Sequence, residues 1–492
     1  MSMIKVENLT FSYPSSYDNI FENVSFQIDS DWKLGFIGRN GRGKTTFLNL
    51  LLGKYKYSGK IFSSVQFDYF PYPVCDKGRM TTDVLAEICP IAEEWEKMRE
   101  LNYLEVEADV LYRPFSTLSN GEQTKVLLAA LFLNEGHFLL IDEPTNHLDM
   151  QAREIVSEYL RKKQGFILVS HDRRFVDNCV DHILSINRTN IEVQKGNFSS
   201  WWENKQRQDS LEIATNEKLK KEVNRLSEAA KRNANWSDKV EKSKKGTTNS
   251  GSKLDKGFVG HKAAKMMKRS KVIEARQQET IEKKSALLKN IETIASLKIC
   301  PLIYHSDILL RASNLSICYG QNIVCDNVSF EIRQGDRIAL DGKNGSGKSS
   351  LLKLIVGETI VHSGELSVGT QLIISYVPQD TSHLRGLLSD YARNCEIDES
   401  LFKSILRKLG FERVQFEKDI ADFSGGQKKK VLIARSLCEQ AHLYVWDEPL
   451  NFIDVYSRIQ IEQLIEENAL TMIFVEHDKN FRERIATKTF QL

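Results

Sequence analysis

The sequence predicts an α/β protein in which two copies of one α/β domain are joined by a long α-helical hairpin. The chain has 492 residues, which is enough for about three domains. One series of short motifs occurs twice, about 305 residues apart, and this spacing indicates an internal repeat. Between the copies lies a stretch of about 100 residues that matches neither of them. We therefore expect domains at residues 1–198 and 301–492, with a helical linker at residues 199–300.

The linker differs from its flanks in charge. Residues 205–290 contain 23 Lys and Arg against 11 Asp and Glu, a balance of +12, whereas the whole chain carries +2. The flanking domains are therefore acidic, and the linker alone suits a polyanionic partner such as a nucleic acid. A solvated coiled-coil spacer is the alternative interpretation of such a charge run.

The linker also has a helical pattern. No proline occurs from Gln206 to Asn290, and apolar residues recur at helical spacing on both sides of a Gly, Ser and Lys-rich turn at residues 242–253. Two arms of ~40 residues would each span ~60 Å. Phe258 lies near the predicted tip, where its ring could stack on a base, enter a pocket or pack the hairpin end. The candidate contact residues of the tip are Lys244, Lys245, Lys253 and Phe258.

Composition excludes several other classes of protein. The chain is 41% hydrophobic, and its apolar runs are far shorter than the ~20 residues that a membrane helix needs. The eight cysteines form no C-x-x-C pair, so no zinc or iron–sulfur site of the sequence-local kind is predicted. These features predict a soluble cytoplasmic protein with reduced thiols.

A phosphate-binding loop follows a short apolar strand in the first copy. It has the pattern G-x-x-x-x-G-K-[ST] and precedes a predicted helix. In such a loop the backbone amides cradle phosphate, Lys44 reaches the β- and γ-phosphates, and Thr45 supplies a hydroxyl to Mg²⁺. The predicted nucleotide-binding residues are Gly38, Arg39, Asn40, Gly41, Arg42, Gly43, Lys44, Thr45 and Thr46.

Further along the first copy, a buried strand ends in two carboxylates. Asp142 is placed to hold Mg²⁺, and Glu143 is placed to activate the attacking water. Ser119 and Gly121 open a helix and offer a second anion-binding helix start. His171 ends another apolar strand. A histidine of the core is the usual interpretation of such a residue, but the ordered set of motifs favours a functional role.

The second copy repeats these motifs at offsets of 304 to 306 residues. Its predicted phosphate loop consists of Gly342, Lys343, Asn344, Gly345, Ser346, Gly347, Lys348, Ser349 and Ser350. Its other predicted residues are Tyr319 (matching Tyr13), Ser424, Gly426, Asp447, Glu448 and His477. The copies also differ. Gln379, a predicted Mg²⁺ ligand together with Ser349 and Asp447, aligns with Tyr72, and Asn120 stands where the second copy has Gly425. The sequence therefore predicts two unequal sites.

In this order the motifs resemble an ATP-binding cassette. The resemblance implies two P-loop ATP-binding cassette domains that bind ATP and Mg²⁺ and hydrolyse ATP. It implies that Tyr13 and Tyr319 stack on adenine, that Glu143 and Glu448 are the general bases, and that His171 and His477 contact the γ-phosphate. Such cassettes pair head to tail. The first site would then combine Lys44, Glu143 and His171 with Ser424 and Gly426. The second would combine Lys348, Gln379, Glu448 and His477 with Ser119 and Gly121.

Three kinds of cassette protein fit less well. The function of a transporter ATPase does not explain the basic hairpin. A ribosome-recycling cassette needs an N-terminal cysteine cluster, which this sequence does not contain. In chromosome-maintenance ATPases a coiled coil interrupts the cassette, whereas here 75 and 76 residues separate the lysine of each phosphate loop from the signature serine. The chain resembles the ABC-F proteins in the segment from Glu143 to Asp149 and in its basic linker.

Finer similarities point to one branch of that family. The segments Trp32–Lys44, Lys265–Lys271 and Trp446–Asn451 resemble the Lsa-type antibiotic-resistance proteins. The resemblance implies a monomer with paired cassettes and no membrane domain, which binds the 70S ribosome at its tRNA exit site. The linker would extend along P-site tRNA and large-subunit rRNA to the peptidyl-transferase centre. There it would free the centre of lincosamide, pleuromutilin and streptogramin A drugs. A housekeeping translation factor is the alternative, and a transporter ATPase is a further one.

Overall fold

The computed structural model describes residues 3–13, 19–134, 136–146, 148–187, 190–243, 299, 301–320, 322–343 and 345–492. The chain divides into two compact units. One unit comprises Met1–Trp201 together with Ser296–Leu492, and it therefore contains both copies of the repeat. The other unit is Trp202–Ala295.

The first copy alternates strands and helices. Its strands are β1 (Met3–Phe11), β2 (Phe21–Asp29), β3 (Lys33–Ile37), β4 (Ser58–Phe62), β5 (Gln66–Phe70), β6 (His137–Asp142), β7 (Phe166–Val169), β8 (His182–Asn187) and β9 (Asn190–Lys195). Its α-helices are Lys44–Leu51, Thr81–Ile88, Glu94–Tyr103, Asn120–Leu131, Met150–Lys162 and Arg173–Cys179. Short 3₁₀ turns occupy Ala108–Tyr112 and Phe115–Thr117.

The second copy repeats this order. Its strands are β10 (Ile308–Tyr319), β11 (Asn322–Arg333), β12 (Arg337–Asp341), β13 (His362–Val368), β14 (Ile374–Val377), β15 (Leu443–Asp447), β16 (Met472–Val475) and β17 (Lys488–Gln491). Its α-helices are Lys348–Val356, Leu388–Asn394, Glu399–Lys408, Gly425–Cys438, Val455–Asn468 and Lys479–Ile485, with 3₁₀ turns at Arg413–Glu417 and Ile420–Asp422. The repeat and the α/β class predicted from the sequence are thus confirmed.

Each copy has a buried sheet and a smaller antiparallel sheet. The buried sheets have the orders β5-β6-β7-β3-β8-β9 and β14-β15-β16-β12-β17. Their central strands pair in parallel and are apolar along their length, because helices cover both faces of such a sheet. The antiparallel sheets have the orders β2-β1-β4 and β11-β10-β13.

The predicted site residues follow the carboxyl ends of neighbouring parallel strands. Strand β3 leads into the first phosphate loop, β6 ends in Asp142, and β7 ends just before His171. The second copy repeats this arrangement with β12, β15 and β16. Since the carboxyl ends of parallel strands meet at one edge of a sheet, side chains that lie far apart in sequence come together there.

The helix Phe198–Ser243, called the arm helix below, corresponds to the outgoing arm of the predicted hairpin. It has 46 residues, and a rise of 1.5 Å per residue gives a length of about 69 Å. Glutamate, lysine and alanine recur along it without proline, and these residues favour helix. The predicted turn and returning helix lie outside the described residues.

Candidate ATP-binding and catalytic sites

The two phosphate loops have the same backbone conformation at the glycine that precedes each helix. Gly43 and Gly347 precede their helices with φ of 92° and 87°, a left-handed conformation that favours glycine. A Cβ at Gly43 would also lie 2.5 Å from the side chain of Ile20. The lysines are buried against their own loops. Lys44 Nζ donates to the Gly38 carbonyl at 2.7 Å, and Lys348 Nζ donates to that of Gly342 at 2.8 Å. A helix start beside a buried ammonium group favours a bound anion such as phosphate.

A hydroxyl and a carboxylate meet next to each loop. Thr45 Oγ1 donates to Asp142 Oδ2 at 2.9 Å. At the second loop burial raises the pKa of Asp447, and the neighbouring Ser349 hydroxyl acts to lower it. Asp447 is 1% exposed, and its Oδ1 has no hydrogen-bond partner. A buried carboxylate oxygen without a partner calls for a ligand, and a hard divalent cation prefers oxygen donors. The hydroxyl and carboxylate pairs therefore fit Mg²⁺.

The predicted general bases face the predicted histidines. Glu143 Oε1 lies 3.2 Å from His171 Nε2, and Glu448 Oε1 lies 3.6 Å from His477 Nε2. Both glutamates have a positive φ, 52° and 45°, which is uncommon for residues with a side chain. The structure thus brings the four residues together as two matching pairs.

Glu143, the predicted base of the first site, lies where its charged form is disfavoured. Burial raises the pKa of Glu143 to about 8, and the neighbouring charge of Asp142 adds to this effect. Burial, together with the charge of Lys44, lowers the pKa of His171 well below its ordinary value. His171 is therefore neutral at physiological pH. Although the two side chains are close, Glu143 Oε1 has no hydrogen-bond partner of good geometry.

Glu448, the predicted base of the second site, accepts hydrogen bonds from two amides. Gln379 Nε2 donates to Glu448 Oε2 at 2.8 Å, and Asn451 Nδ2 donates to the same oxygen at 2.6 Å. Burial acts to raise the pKa of Glu448, but the neighbouring His477 and the hydrogen bonds from these two amides outweigh it and lower the pKa. Glu448 is therefore an anion at neutral pH.

The residue that aligns with Gln379 points elsewhere. Tyr72 donates its hydroxyl to Glu87 Oε1 at 3.1 Å. The first site instead uses a tyrosine that the motifs did not indicate. Tyr69 donates to Asp142 Oδ2 at 3.1 Å, whereas the hydroxyl of its counterpart, Tyr376, is buried without a partner. The alignment of residues 69–72 with residues 376–379 could have indicated this residue, because it matches Tyr69 with Tyr376.

The two predicted adenine-stacking tyrosines lie beside the phosphate-loop helices. The hydroxyls of Tyr13 and Thr46 are 2.9 Å apart, and Tyr319 donates to Ser350 Oγ at 3.2 Å. Tyr319 is 51% exposed, so its ring can contact a ligand. The ring of Tyr13 packs edge-on against Phe11.

The second phosphate loop faces the signature of the first copy across a cavity of about 890 Å³. This volume lies within the range of small-ligand sites. Ser119 caps the helix Asn120–Leu131 and accepts a hydrogen bond from Glu122 N, which explains why this helix begins at Asn120. The predicted residues that line the cavity are Ser119, Gly121, Gly345, Gly347, Lys348, Ser349, Ser350, Gln379, Glu448 and His477.

At the first site the opposing copy approaches more closely. Asn40 Nδ2 donates to the Phe452 carbonyl at 2.6 Å. Gly426 lies at the same point, because a Cβ on it would be 2.2 Å from that carbonyl and 3.0 Å from Asn40 Nδ2. Ser424 caps the helix Gly425–Cys438, as Ser119 caps its counterpart. The first phosphate loop and the second signature are therefore in direct contact.

Ion pairs also join the copies. Arg42 pairs with Glu412 at 3.0 Å, and Arg173 pairs with Glu462, which is completely buried. Lys479 pairs with Glu154 at 3.4 Å. Of these residues the sequence motifs indicated only Arg42, and they did so as part of a phosphate loop.

A buried charge network behind the first site was also missed. Asp454 accepts from Lys430 Nζ at 2.6 Å, and Arg458 Nη1 donates to Asp478 at 2.7 Å. Burial acts to raise the pKa of Asp454, but the charge and the hydrogen bond of Lys430 lower it well below its usual range. The repeat offered a signal, because Lys125 and Asp149 occupy the same positions in the first copy.

Some predicted residues lie outside the described part of the chain. These are Asn344 in the second phosphate loop and the linker-tip residues Lys244, Lys245, Lys253 and Phe258. Their proposed contacts stay predictions.

The family model described as "ABC transporter" matches the chain twice, over residues 21–146 and 325–451. The matches cover both phosphate loops and both Asp-Glu pairs described above. The chain belongs to this family. It is an ATPase with two ABC cassettes, and it binds ATP.

Similar proteins span nearly its whole length. The ribosome protection protein VmlR of Bacillus subtilis (strain 168) is 26% identical over 489 residues, which cover 96% of this chain and 84% of VmlR. The ATP-binding protein Uup of Buchnera aphidicola subsp. Acyrthosiphon pisum is 28% identical over 516 residues, covering 99% of this chain and 80% of Uup.

Solved structures share the arrangement of two cassettes. The archaeal ribosome recycling factor aABCE1, in complex with the stalk protein aP1, aligns over 98% of this chain and 87% of its own, with a TM-score of 0.64 and 19% identity. The RNase-L inhibitor aligns with a TM-score of 0.63 and 20% identity, over 99% of this chain and 87% of its own. At this level of identity the likeness concerns the fold alone. Within the described part of the chain, no helix is both long and apolar enough to cross a membrane.

Proposed function

We propose that this protein is a cytoplasmic ABC-F ATPase that binds the ribosome and protects the peptidyl-transferase centre from lincosamide, pleuromutilin and streptogramin A antibiotics. Its partners would be the 70S ribosome at the tRNA exit site, large-subunit rRNA and P-site tRNA. The domain boundaries at residues 198 and 300 and the roles of the site residues belong to this proposal.

The observation that carries the proposal is the basic segment placed between two acidic cassettes. Residues 205–290 carry +12, and the arm helix alone is about 69 Å long. Lysines and arginines on such a segment would neutralise RNA phosphates, and its length suits a site deep in a large assembly. The full-length similarity to VmlR, which is named a ribosome protection protein, supports this direction.

The geometry of the sites supports the proposed ATP chemistry. Each loop lysine and helix start would hold the phosphates, while the hydroxyl and carboxylate pairs Thr45–Asp142 and Ser349–Asp447 would hold Mg²⁺. The metal would supply positive charge to the transferred phosphoryl group. Glu448, held as an anion by two amides, would accept a proton from the attacking water, and His477, which lies 3.6 Å from Glu448, would contact the γ-phosphate.

A housekeeping ABC-F translation factor is the second candidate, favoured by the equally extensive similarity to Uup. The two candidates differ in one measurable property, because only the first predicts resistance. Expression in a drug-sensitive strain should raise the inhibitory concentrations of all three drug classes. The variant K44A/K348A, made to equal level, is the control. Unchanged susceptibility to all three classes would contradict the resistance role.

Ribosome binding can be tested separately. The variant E143Q/E448Q should trap ATP and co-sediment with ribosomes. Replacing three exposed basic residues of the arm helix, as in K218A/K221A/R225A, should weaken this association. It should also reduce the slope of log K against log salt by about 1 for each RNA phosphate that the helix no longer neutralises.

The matched control is E217A/E222A/E228A, which removes three exposed acidic residues from the same helix and should not weaken binding. Equal effects of the basic and acidic triples would contradict phosphate contact by this helix. Association with the membrane fraction and not with ribosomes would favour the transporter ATPase.

A further inference from the structure

Lys429 lies where three segments of the second cassette meet. It belongs to the helix Gly425–Cys438, which the signature Ser424 caps, and it is 2% exposed. Its ammonium group donates to the Pro378 carbonyl at 2.7 Å and to the Asp447 carbonyl at 3.1 Å. One buried side chain thus joins the signature helix to the segment before Gln379 and to the end of strand β15.

These segments serve different ATP sites. The residues next to the two carbonyls, Gln379 and Glu448, hydrogen-bond to each other and line the cavity at the second phosphate loop. The signature helix begins next to the first phosphate loop, where Gly426 meets Asn40. Lys429 therefore connects parts of the second site to a part of the first.

The first cassette has a different residue at this point. Thr124 occupies the matching position, 305 residues earlier, and its Oγ1 donates to the Asn120 carbonyl in its own helix at 2.9 Å. A cavity of about 270 Å³ lies beside it, lined among others by Tyr72, Asp142 and Glu143. The space that the lysine and glutamine fill in the second cassette is thus left open in the first.

We propose that Lys429 is a positioning residue that transmits the nucleotide state of the second ATP site to the first, and that the first cassette has no matching link in the other direction. This rests on the proposed pairing of each phosphate loop with the opposite signature. A ligand that draws on Gln379 and Asp447 shifts the two carbonyls, and a buried ammonium group bonded to both must follow, since leaving it unpaired is costly. The signature helix then moves against the first phosphate loop.

The test measures ATP turnover by the first site in two states of the second. E448Q lets the second site hold ATP without turnover, and K348A prevents it from holding phosphate. We define the coupling ratio as the KM for ATP in the K348A background divided by that in the E448Q background. With Lys429 present the ratio should be about fivefold or more, the usual lower range of allosteric coupling.

K429M should bring the ratio to within about twofold, and K429R, which still donates hydrogen bonds, should restore it. Rescue by arginine separates positioning from simple misfolding, and the full-length variants can be compared by thermal unfolding. T124V is the matched control, because it removes a polar contact at the equivalent position and should leave the ratio unchanged.

The reverse direction gives a second measurement. The KM of the second site is compared between the K44A and E143Q backgrounds, and K429M should leave the ratio of these two values unchanged. T124K has a 270 Å³ cavity to enter and should introduce coupling in this direction. A K429M protein that keeps the ratio, or that loses it equally in both directions, would overturn the proposal. Absent turnover in the E448Q background would instead contradict the site assignment, and failure of drug protection would leave this result untouched.

Discussion

Replacing Gly426 by alanine should disable the first ATP site by steric means. The new Cβ would lie 2.2 Å from the Phe452 carbonyl oxygen and 3.0 Å from Asn40 Nδ2. Since a carbon and a carbonyl oxygen need about 3.3 Å, the segment that carries Phe452, which belongs to the same copy as Gly426, must move away by about 1 Å. The 2.6 Å hydrogen bond between Asn40 and Phe452 is then broken. A displacement of about 1 Å can cost about a hundredfold in rate, so we expect kcat/KM of the first site to fall by about that factor.

The neighbouring glycine provides a matched control. A Cβ on Gly425 would meet only Phe452 Cδ2 at 3.7 Å, which is an ordinary contact, and Asn120 already stands at this position in the first copy. G425A should therefore change the rate by about twofold or less. Both variants are measured in the E448Q background by phosphate release, so that the first site alone turns over. Equal losses for G425A and G426A, or full activity of G426A, would refute the steric reasoning.

Three further predictions concern the carboxylates. E143Q/E448Q should bind ATP but release no phosphate, because the phosphate cradle stays while both bases are removed; normal hydrolysis would contradict their assignment. E143Q and E448Q alone should leave clearly different ATPase rates, since Gln379 supports only Glu448, and equal rates would show that this glutamine has no effect. Asp454→Ala should reduce the free energy of unfolding by about 3 to 5 kcal/mol at pH 7, because it strands the buried charge of Lys430. Because the folded-state pKa of Asp454 is lowered, its contribution to stability is present above about pH 4 and is lost as the pH falls through that lowered pKa. Denaturant unfolding should therefore show that the parent protein loses stability between pH 7 and pH 3. The variant should lack this loss. A variant as stable as the parent at pH 7 would rule out this ion pair as a major contribution.

The elements that the sequence predicts well are those whose chemistry is local. A glycine-rich loop between a strand and a helix, or two carboxylates after an apolar strand, specify both a backbone and a function within about ten residues. The structure accordingly places Glu143 against His171 and Glu448 against His477. Apolar strands of four or five residues likewise indicate a buried parallel sheet.

Contacts between the copies are different, because they depend on how two finished surfaces meet. Nothing near Phe452 in the sequence shows that its carbonyl accepts a hydrogen bond from Asn40, 412 residues earlier. The same holds for Arg173 and the buried Glu462. Tyr72 illustrates a milder case. The alignment showed that it cannot act as the glutamine does, but only the structure shows that its hydroxyl binds Glu87 and leaves a cavity behind.

The difference between the two predicted bases can be related to the direction of the link at Lys429. Glu448 is an anion at neutral pH because His477 and two amide donors lower its pKa, whereas burial and Asp142 raise the pKa of Glu143 to about 8. The second site therefore has an ionised base in this state, whereas Glu143 must lose a proton before it can act as a base. A site whose base must first lose a proton can depend on the nucleotide state of its partner site. Lys429 connects the second site to the signature helix of the first. We therefore expect the second site to respond first to ATP and the first site to follow. Replacement of Lys429 should remove this order together with the dependence of the first site's KM on the state of the second site.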